Sequence, residues 1–187
     1  MLKVVDSDSF MNEIKQLYDT AFPREERYLD FEPAVKQIEA ANSGEKRGEL
    51  VAFGEDNGET AGFVGFVMVL FCGNIAHLYY FAIHENLRGR KYGEQALNLL
   101  KERYKDRTIW LGVELPDENA ENQQQRLRRK QFYYRNGFRD TDVSGEKNGC
   151  MLQMMSTDGM IDPDTLVRLD KMIDEMVAEG RRQQLNA

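Results

Sequence analysis

Apolar positions along the chain follow two periods, and the switches between them mark out the elements. Leu2 to Val5 reads as a short strand. It is followed by Phe10, Ile14, Leu17, Tyr18 and Ala21 at helical spacing, with Pro23 as the stop. After the charged connection PREERYLDFEP, Pro33 to Ala41 predicts a second helix that breaks at Asn42-Ser43-Gly44. Glu49 to Gly54 and Thr60 to Leu70 form a predicted hairpin about the Asp56-Asn57-Gly58 turn, and His77 to Ile83 supplies the next strand. Tyr92, Ala96, Leu97, Leu100 and Tyr104 return to helical spacing, Thr108 to Glu114 is a fifth strand, and Asn122 to Asn136 a helix ended by Gly137. Phe138 to Val143 and Cys150 to Ser156 predict a closing hairpin around Gly145 and Asn148-Gly149. Asp162-Pro163 then opens a last helix with the stripe Leu166, Leu169, Ile173 and Met176.

One run tests this reading. Thr60 to Ile83 spans 24 positions without a formal charge, longer than the roughly 18 residues that suggest a membrane span. Its β-branched and aromatic content, Gly62, Gly65 and the central Gly73-Asn74 turn signal argue instead for two buried strands. The pattern as a whole predicts a single mixed α/β (α+β) domain over 1–156, with a helical extension over 157–187.

Composition narrows the function classes. The 187 residues are 41% hydrophobic, enough for a core, and 25 Lys+Arg against 32 Asp+Glu leave a net charge of −7. That balance disfavours nucleic acid and anionic membrane as partners and suits a cationic small molecule or peptide. Cys72 and Cys150 stand apart without a CxxC or Cys/His cluster, so neither a disulfide framework nor a metal site is expected. MLKVVDSDSF lacks the apolar run of a secretory signal, and the expected location is cytoplasmic.

The candidate chemistry starts at LRGRKYG. Arg88, Gly89, Arg90, Lys91, Tyr92, Gly93 and Glu94 run from a strand into a helix, where backbone N–H groups at a positive dipole end suit a phosphate. Taken alone, such a basic turn is more often simply solvated. In context, YYFAIHENLRGRKYGEQALNLL resembles the acetyl-CoA motif of the GNAT acyltransferase superfamily, Arg/Gln-x-x-Gly-x-Gly/Ala. Arg88 and Gly93 stand at its ends and Lys91 at its middle glycine. QFYYRNGF resembles the superfamily's Phe-Tyr-x-x-x-Gly-Phe block, with Tyr133 on the acid position.

The resemblance covers about residues 2 to 156. It implies a mostly antiparallel sheet splayed between its fourth and fifth strands, with backbone groups of Phe81, Ala82 and Ile83 holding the pantetheine arm and polarising the thioester carbonyl. Acetyl-CoA is then the acyl donor, without a metal, and Tyr133 protonates the departing thiolate. Read without the family block, Tyr133 between Phe132 and Tyr134 is a packing aromatic. Three sources of base stay open: His77, which occupies a base position of the histone-acetylating branch; Glu114, which shares an alternating face with Trp110 and Gly112; and an ordered water. Arg126 stands where many members carry a cofactor-contacting Asn, with Asn119 and Asn122 earlier, and it is a candidate contact to the cofactor phosphate.

The resulting expectation is an acetyl-CoA-dependent N-acetyltransferase acting on a primary amine in a ternary complex, with a non-catalytic acyl-CoA-binding module as the alternative. Glu25, Glu26, Asp30 and Glu32, in the region that shapes the acceptor pocket in the superfamily, suit an ammonium group. The last helix has three possible berths: its own sheet, the acceptor pocket, or a second subunit in a homodimer.

Overall fold

The computed structural model describes residues 1–24, 26–42, 45–56, 61–147 and 150–185. The expected breaks at Ser43-Gly44, Asn57-Gly58 and Asn148-Gly149, and the acidic Glu25, lie outside the described residues. The elements in chain order are β1 (Leu2–Val5), α1 (Met11–Ala21), α2 (Phe31–Glu39), β2 (Ala41–Asn42), β3 (Glu45–Lys46), β4 (Gly48–Asp56), β5 (Ala61–Cys72) and β6 (Ile75–Ile83). They continue with α3 (Tyr92–Arg103), β7 (Thr108–Glu114), α4 (Gln123–Arg135), β8 (Arg139–Lys147), β9 (Cys150–Ser156) and α5 (Pro163–Leu185).

A seven-stranded sheet runs β1-β4-β5-β6-β7-β9-β8, and β2-β3 form a separate ribbon. All neighbours in the large sheet are antiparallel except β6 and β7. The uncharged run thus becomes β5 and β6, paired across a turn in which Gly73 takes φ +58°. No described helix is long and apolar enough to cross a membrane.

Local chemistry sets the ends of these elements. Phe22, which precedes Pro23, is extended at φ −122°, ψ 105°, and so closes α1. Gly137 follows α4 at φ +79°. Asp162 Oδ2 accepts from the Thr165 N–H at 2.8 Å and caps α5, with Pro163 in its first turn. The expected hairpin strand Phe138–Val143 is instead β8, Arg139–Lys147, because its pairing with β9 resumes beyond an irregularity between Asp140 and Ser144. The second helix begins at Phe31 rather than Pro33, with Asp30 at its N-cap, and ends at Glu39 because Ala40 turns extended ahead of β2.

Two cores sandwich the sheet. On one face Phe66, Met68, Leu70, Tyr80 and Trp110 meet Ile14, Leu17 and Tyr18 of α1 and Phe31, Val35 and Ile38 of α2. On the other, Val67, Val69, Leu78, Ile109, Leu111 and Val113 meet Ala96, Leu97 and Leu100 of α3. The segment expected as an extension contributes Ile161, Leu169, Ile173 and Met176 to the first core. Its docking leaves no room for a side chain at Gly180, where a Cβ would lie 2.5 Å from Leu29 Cδ1. The stripe of α5 packs against its own domain.

Candidate active site

The parallel pairing of β6 with β7 lasts only from Ile75↔Thr108 to His77↔Trp110. Beyond it β7 stays paired to β9 as far as Glu114↔Leu152, while β6 stays paired to β5 as far as Ile83↔Gly65. The sheet therefore opens into a V, and the backbone of 78–83 has no ladder partner on the β7 side. Buried backbone groups normally find partners, so an open edge inside a sheet is a place for a ligand chain to complete the ladder. Phe81, Ala82 and Ile83 all lie on this open stretch. Gly65 keeps its neighbour close, since a Cβ there would lie 2.4 Å from the Ala82 carbonyl oxygen.

At the open end the chain passes through a short 3-10 turn, Glu85–Leu87, into the basic loop. Gly89 takes φ +77° and Lys91 φ +63°; Lys91 has the only positive φ among described non-glycine residues. Left-handed residues at 89 and 91 bend the loop sharply just before α3, a backbone pattern of the kind that forms anion nests. Lys91 sits at the N-cap of α3 without a side-chain cap, and the first intrahelical bond is Gln95 N–H to Lys91 C=O at 3.0 Å. The amides of Tyr92, Gly93 and Glu94 thus lack an intrahelical acceptor.

The side chains around this nest divide by role. Arg88, Arg90 and Lys91 are exposed, and Arg88 Nε lies 3.4 Å from the Ile83 carbonyl. The Tyr92 ring is buried with its hydroxyl on Glu55 Oε2 at 2.6 Å, so only its backbone faces the loop. Glu94 is exposed. Gly93 is where three elements converge: a Cβ there would lie 3.1 Å from Phe132 Cζ on α4 and 3.9 Å from Ile83 Cγ1 on β6.

Tyr133 follows on α4, partly buried, with its ring edge-on to Phe132 at 5.3 Å and to Phe138 at 5.6 Å. Its hydroxyl has no hydrogen-bond partner among the described residues. Burial pushes its phenol up to about 12, against a smaller downward pull from Arg129. It is a protonated phenol throughout the neutral range, able to donate.

The two residues considered as base differ. Glu114, at the end of β7, is gripped by two guanidiniums of α4: Arg129 Nη1 at 2.8 Å and Arg126 Nη2 at 3.3 Å, with the Cys150 thiol 3.6 Å away. Arg126 belongs to the same network, donating also to Asn122 Oδ1 at 2.7 Å and to the Leu115 carbonyl at 3.3 Å. His77 is 8% exposed at the vertex of the V, opposite Leu70 and Trp110, on the face that α1, α2 and α5 cover.

That face also holds residues that the sequence did not single out. The register of β6 against β5 shifts between Met68 and Val69, leaving Tyr79 as the extra residue of a β-bulge. Its ring packs against Tyr80 at 4.6 Å, His77 at 6.2 Å and, nearly parallel at 13°, Tyr28 at 6.1 Å. Burial, Tyr80 and the carboxylates of Asp174 and Asp170 push the Tyr28 phenol up to about 12. A Tyr-Tyr pair within a strand gives no hint of a bulge; only the pairing register reveals that both rings share a face.

Comparison with known proteins gives these features a context. Residues 11–138 match the model of the acetyltransferase (GNAT) family. No curated protein matches the chain. Among solved structures, a GNAT-family protein from Bacteroides thetaiotaomicron is 21% identical with a TM-score of 0.64, covering 92% of this chain and 95% of that one. An aminoglycoside 6'-N-acetyltransferase complexed with coenzyme A is 16% identical with a TM-score of 0.61, covering 83% and 95%. The ribosomal-protein-S18-alanine N-acetyltransferase from Escherichia coli is 17% identical with a TM-score of 0.52, covering 83% and 91%. At these identities the likeness is one of fold.

Proposed function

The chain belongs to the acetyltransferase (GNAT) family, and on that premise we propose that it transfers an acetyl group from acetyl-CoA to a primary amine by direct attack. The observation that carries the proposal is the V between β6 and β7, which leaves one strand edge open beside an anion nest and a protonated phenol. The residues present fit the donor. The nest from Arg88 to Glu94 takes the diphosphate on backbone amides, with Arg88, Arg90 and Lys91 around it. The open backbone of Phe81, Ala82 and Ile83 pairs with the pantetheine arm and polarises the thioester carbonyl.

The acceptor approaches from the face of Tyr28, Tyr79 and Tyr80. Aromatic rings beside Asp170 and Asp174 suit a cationic amine, which matches the net charge of −7. The neutral amine nitrogen attacks the thioester carbon, the C–S bond breaks, and the Tyr133 O–H proton goes to sulfur. With Glu114 committed to two guanidiniums, the amine proton passes through water to His77.

The test is release of coenzyme A thiol from acetyl-CoA in the presence of ethanolamine, spermidine, lysine or a peptide with a free N-terminus, with Tyr133→Phe as control. The proposal expects turnover with at least one amine, falling about 10- to 1000-fold in Tyr133→Phe. Tight acetyl-CoA binding without turnover across the panel would favour a non-catalytic acyl-CoA sensor.

A further inference from the structure

We infer that Arg129 is a positioning residue for Tyr133: fixed by Glu114, its guanidinium stabilises the phenolate that Tyr133 becomes when it protonates the leaving thiolate. The inference rests on Tyr133 being the acid of the proposed reaction, and it concerns a residue outside both sequence blocks.

The geometry is a relay of three side chains on one helix face. Arg126, Arg129 and Tyr133 fall at i, i+3 and i+7 of α4, so they line one side of it. The first two close on the same Glu114 carboxylate, Arg129 through Nη1 to Oε2 at 2.8 Å and Arg126 through Nη2 to Oε1 at 3.3 Å. Glu114 is fixed in turn by the β7–β9 ladder, where it pairs with Leu152. Arg126 is further tied to Asn122 and to the Leu115 carbonyl, while Arg129 stands one helical turn before Tyr133, at i, i+4 on α4, where helix side chains lean back over the preceding turn.

Among the charged groups on α4 and in the Glu114 network, Lys130, three residues before Tyr133, is paired with Asp140 at 2.9 Å. The same helix presents Arg129 and Arg126, β7 presents Glu114, and β9 presents the Cys150 thiol. From α3, Lys101 donates to the Asn136 carbonyl and lies 5.8 Å from the Phe138 ring that Tyr133 packs against. Burial disfavours the ionised phenol, and Arg129, one turn before it, works in the opposite direction.

A buried phenol is a reluctant acid. When its O–H bond breaks, the electron pair stays on oxygen as a phenolate in an apolar wall of Phe132 and Phe138, and the proton becomes the S–H of coenzyme A. A fixed cation beside that oxygen lowers the cost of the charge as it develops, and solvent then returns the proton.

The first experiment needs no acceptor. Protein grown with 3-fluorotyrosine, whose phenols ionise at lower pH than tyrosine, is titrated by 19F NMR, with the Tyr133 resonance assigned by its loss in Tyr133→Phe. Arg129→Gln is expected to raise the Tyr133 midpoint by about half a unit or more, and Arg129→Lys to restore most of the shift. A midpoint unmoved by Arg129→Gln overturns the inference.

The second is a kinetic cycle with acetyl-CoA and the best amine of the panel. Arg129→Gln is expected to lower kcat about three- to tenfold with KM for acetyl-CoA nearly unchanged, and to cost nothing further in the Tyr133→Phe background. Equal losses in both backgrounds would mean that Arg129 acts elsewhere, and the inference falls alone. If Tyr133→Phe itself costs nothing, the reading of Tyr133 as the acid falls and takes this inference with it.

Discussion

Lys91 is the most informative single position, because it separates backbone conformation from charge at the heart of the anion nest. At φ +63° and ψ 11° its Cβ crowds the following carbonyl oxygen. For an L-residue this costs about 1–2 kcal/mol relative to glycine. Glycine loses about 0.4–1 kcal/mol of that advantage through its freer unfolded chain. Lys91→Ala removes the charge and keeps the strain, whereas Lys91→Gly removes both. The glycine variant should therefore be the more stable of the two by about 0.5–1 kcal/mol, or roughly 1–4 °C in Tm for a chain of this size.

The assay is urea unfolding of both variants, read at equal m so that only the midpoint moves. Coenzyme A affinity, measured alongside, should match between Lys91→Gly and Lys91→Ala within about threefold, since both lose one exposed charge and the nest is made of backbone. An alanine variant as stable as the glycine variant would mean that residue 91 is not held left-handed. The explanation for glycine at this place in the family motif would then fail for this chain.

Other predictions follow from the same geometry. Gly65→Ala should destabilise the chain by about 1–3 kcal/mol and weaken coenzyme A binding, because its Cβ collides with the Ala82 carbonyl; denaturation and calorimetry read the two effects separately. With the Tyr133 phenol raised to about 12, the acid stays protonated at all working pH values. The pH–rate profile should accordingly rise from the acid side and then stay flat to about pH 10. A falling limb below pH 9 that vanished in Tyr133→Phe would contradict this. Burial works to raise the Glu49 carboxyl, yet hydrogen bonds from Arg103 and Tyr104 outweigh it and hold it below its ordinary value of 4.5. Its stabilisation is therefore present above the unfolded value and lost as pH falls through the folded one. Glu49→Gln should cost about 1 kcal/mol at pH 7 and progressively less as the pH falls through the titration of the folded carboxyl, as unfolding curves at a series of pH values will show.

How much of this was legible beforehand depended on whether the determinant was local. Pro23, Gly137 and Asp162-Pro163 act within a few residues of where they stand, and each bounds its helix as read. The splay was implied by the family block and appears as pairing that stops at His77↔Trp110. The bulge at Tyr79, the grip of Arg126 and Arg129 on Glu114, and the berth of α5 against Leu29 all join segments far apart in the chain, which spacing along one strand or helix does not encode. Arg126 shows the difference: its place on the helix was readable, whereas its contacts to Glu114, Asn122 and the Leu115 carbonyl were not. Tyr92 lies inside the motif, but its side chain serves the sheet through Glu55.

The central claim is that the V between β6 and β7, with the nest at its mouth, is built for a coenzyme A thioester. Calorimetric titration of the purified chain with acetyl-CoA and with free coenzyme A tests it most directly. The account predicts saturable one-to-one binding of both, weakened at least tenfold by Gly65→Ala. Absence of binding to either ligand by the folded chain would contradict it.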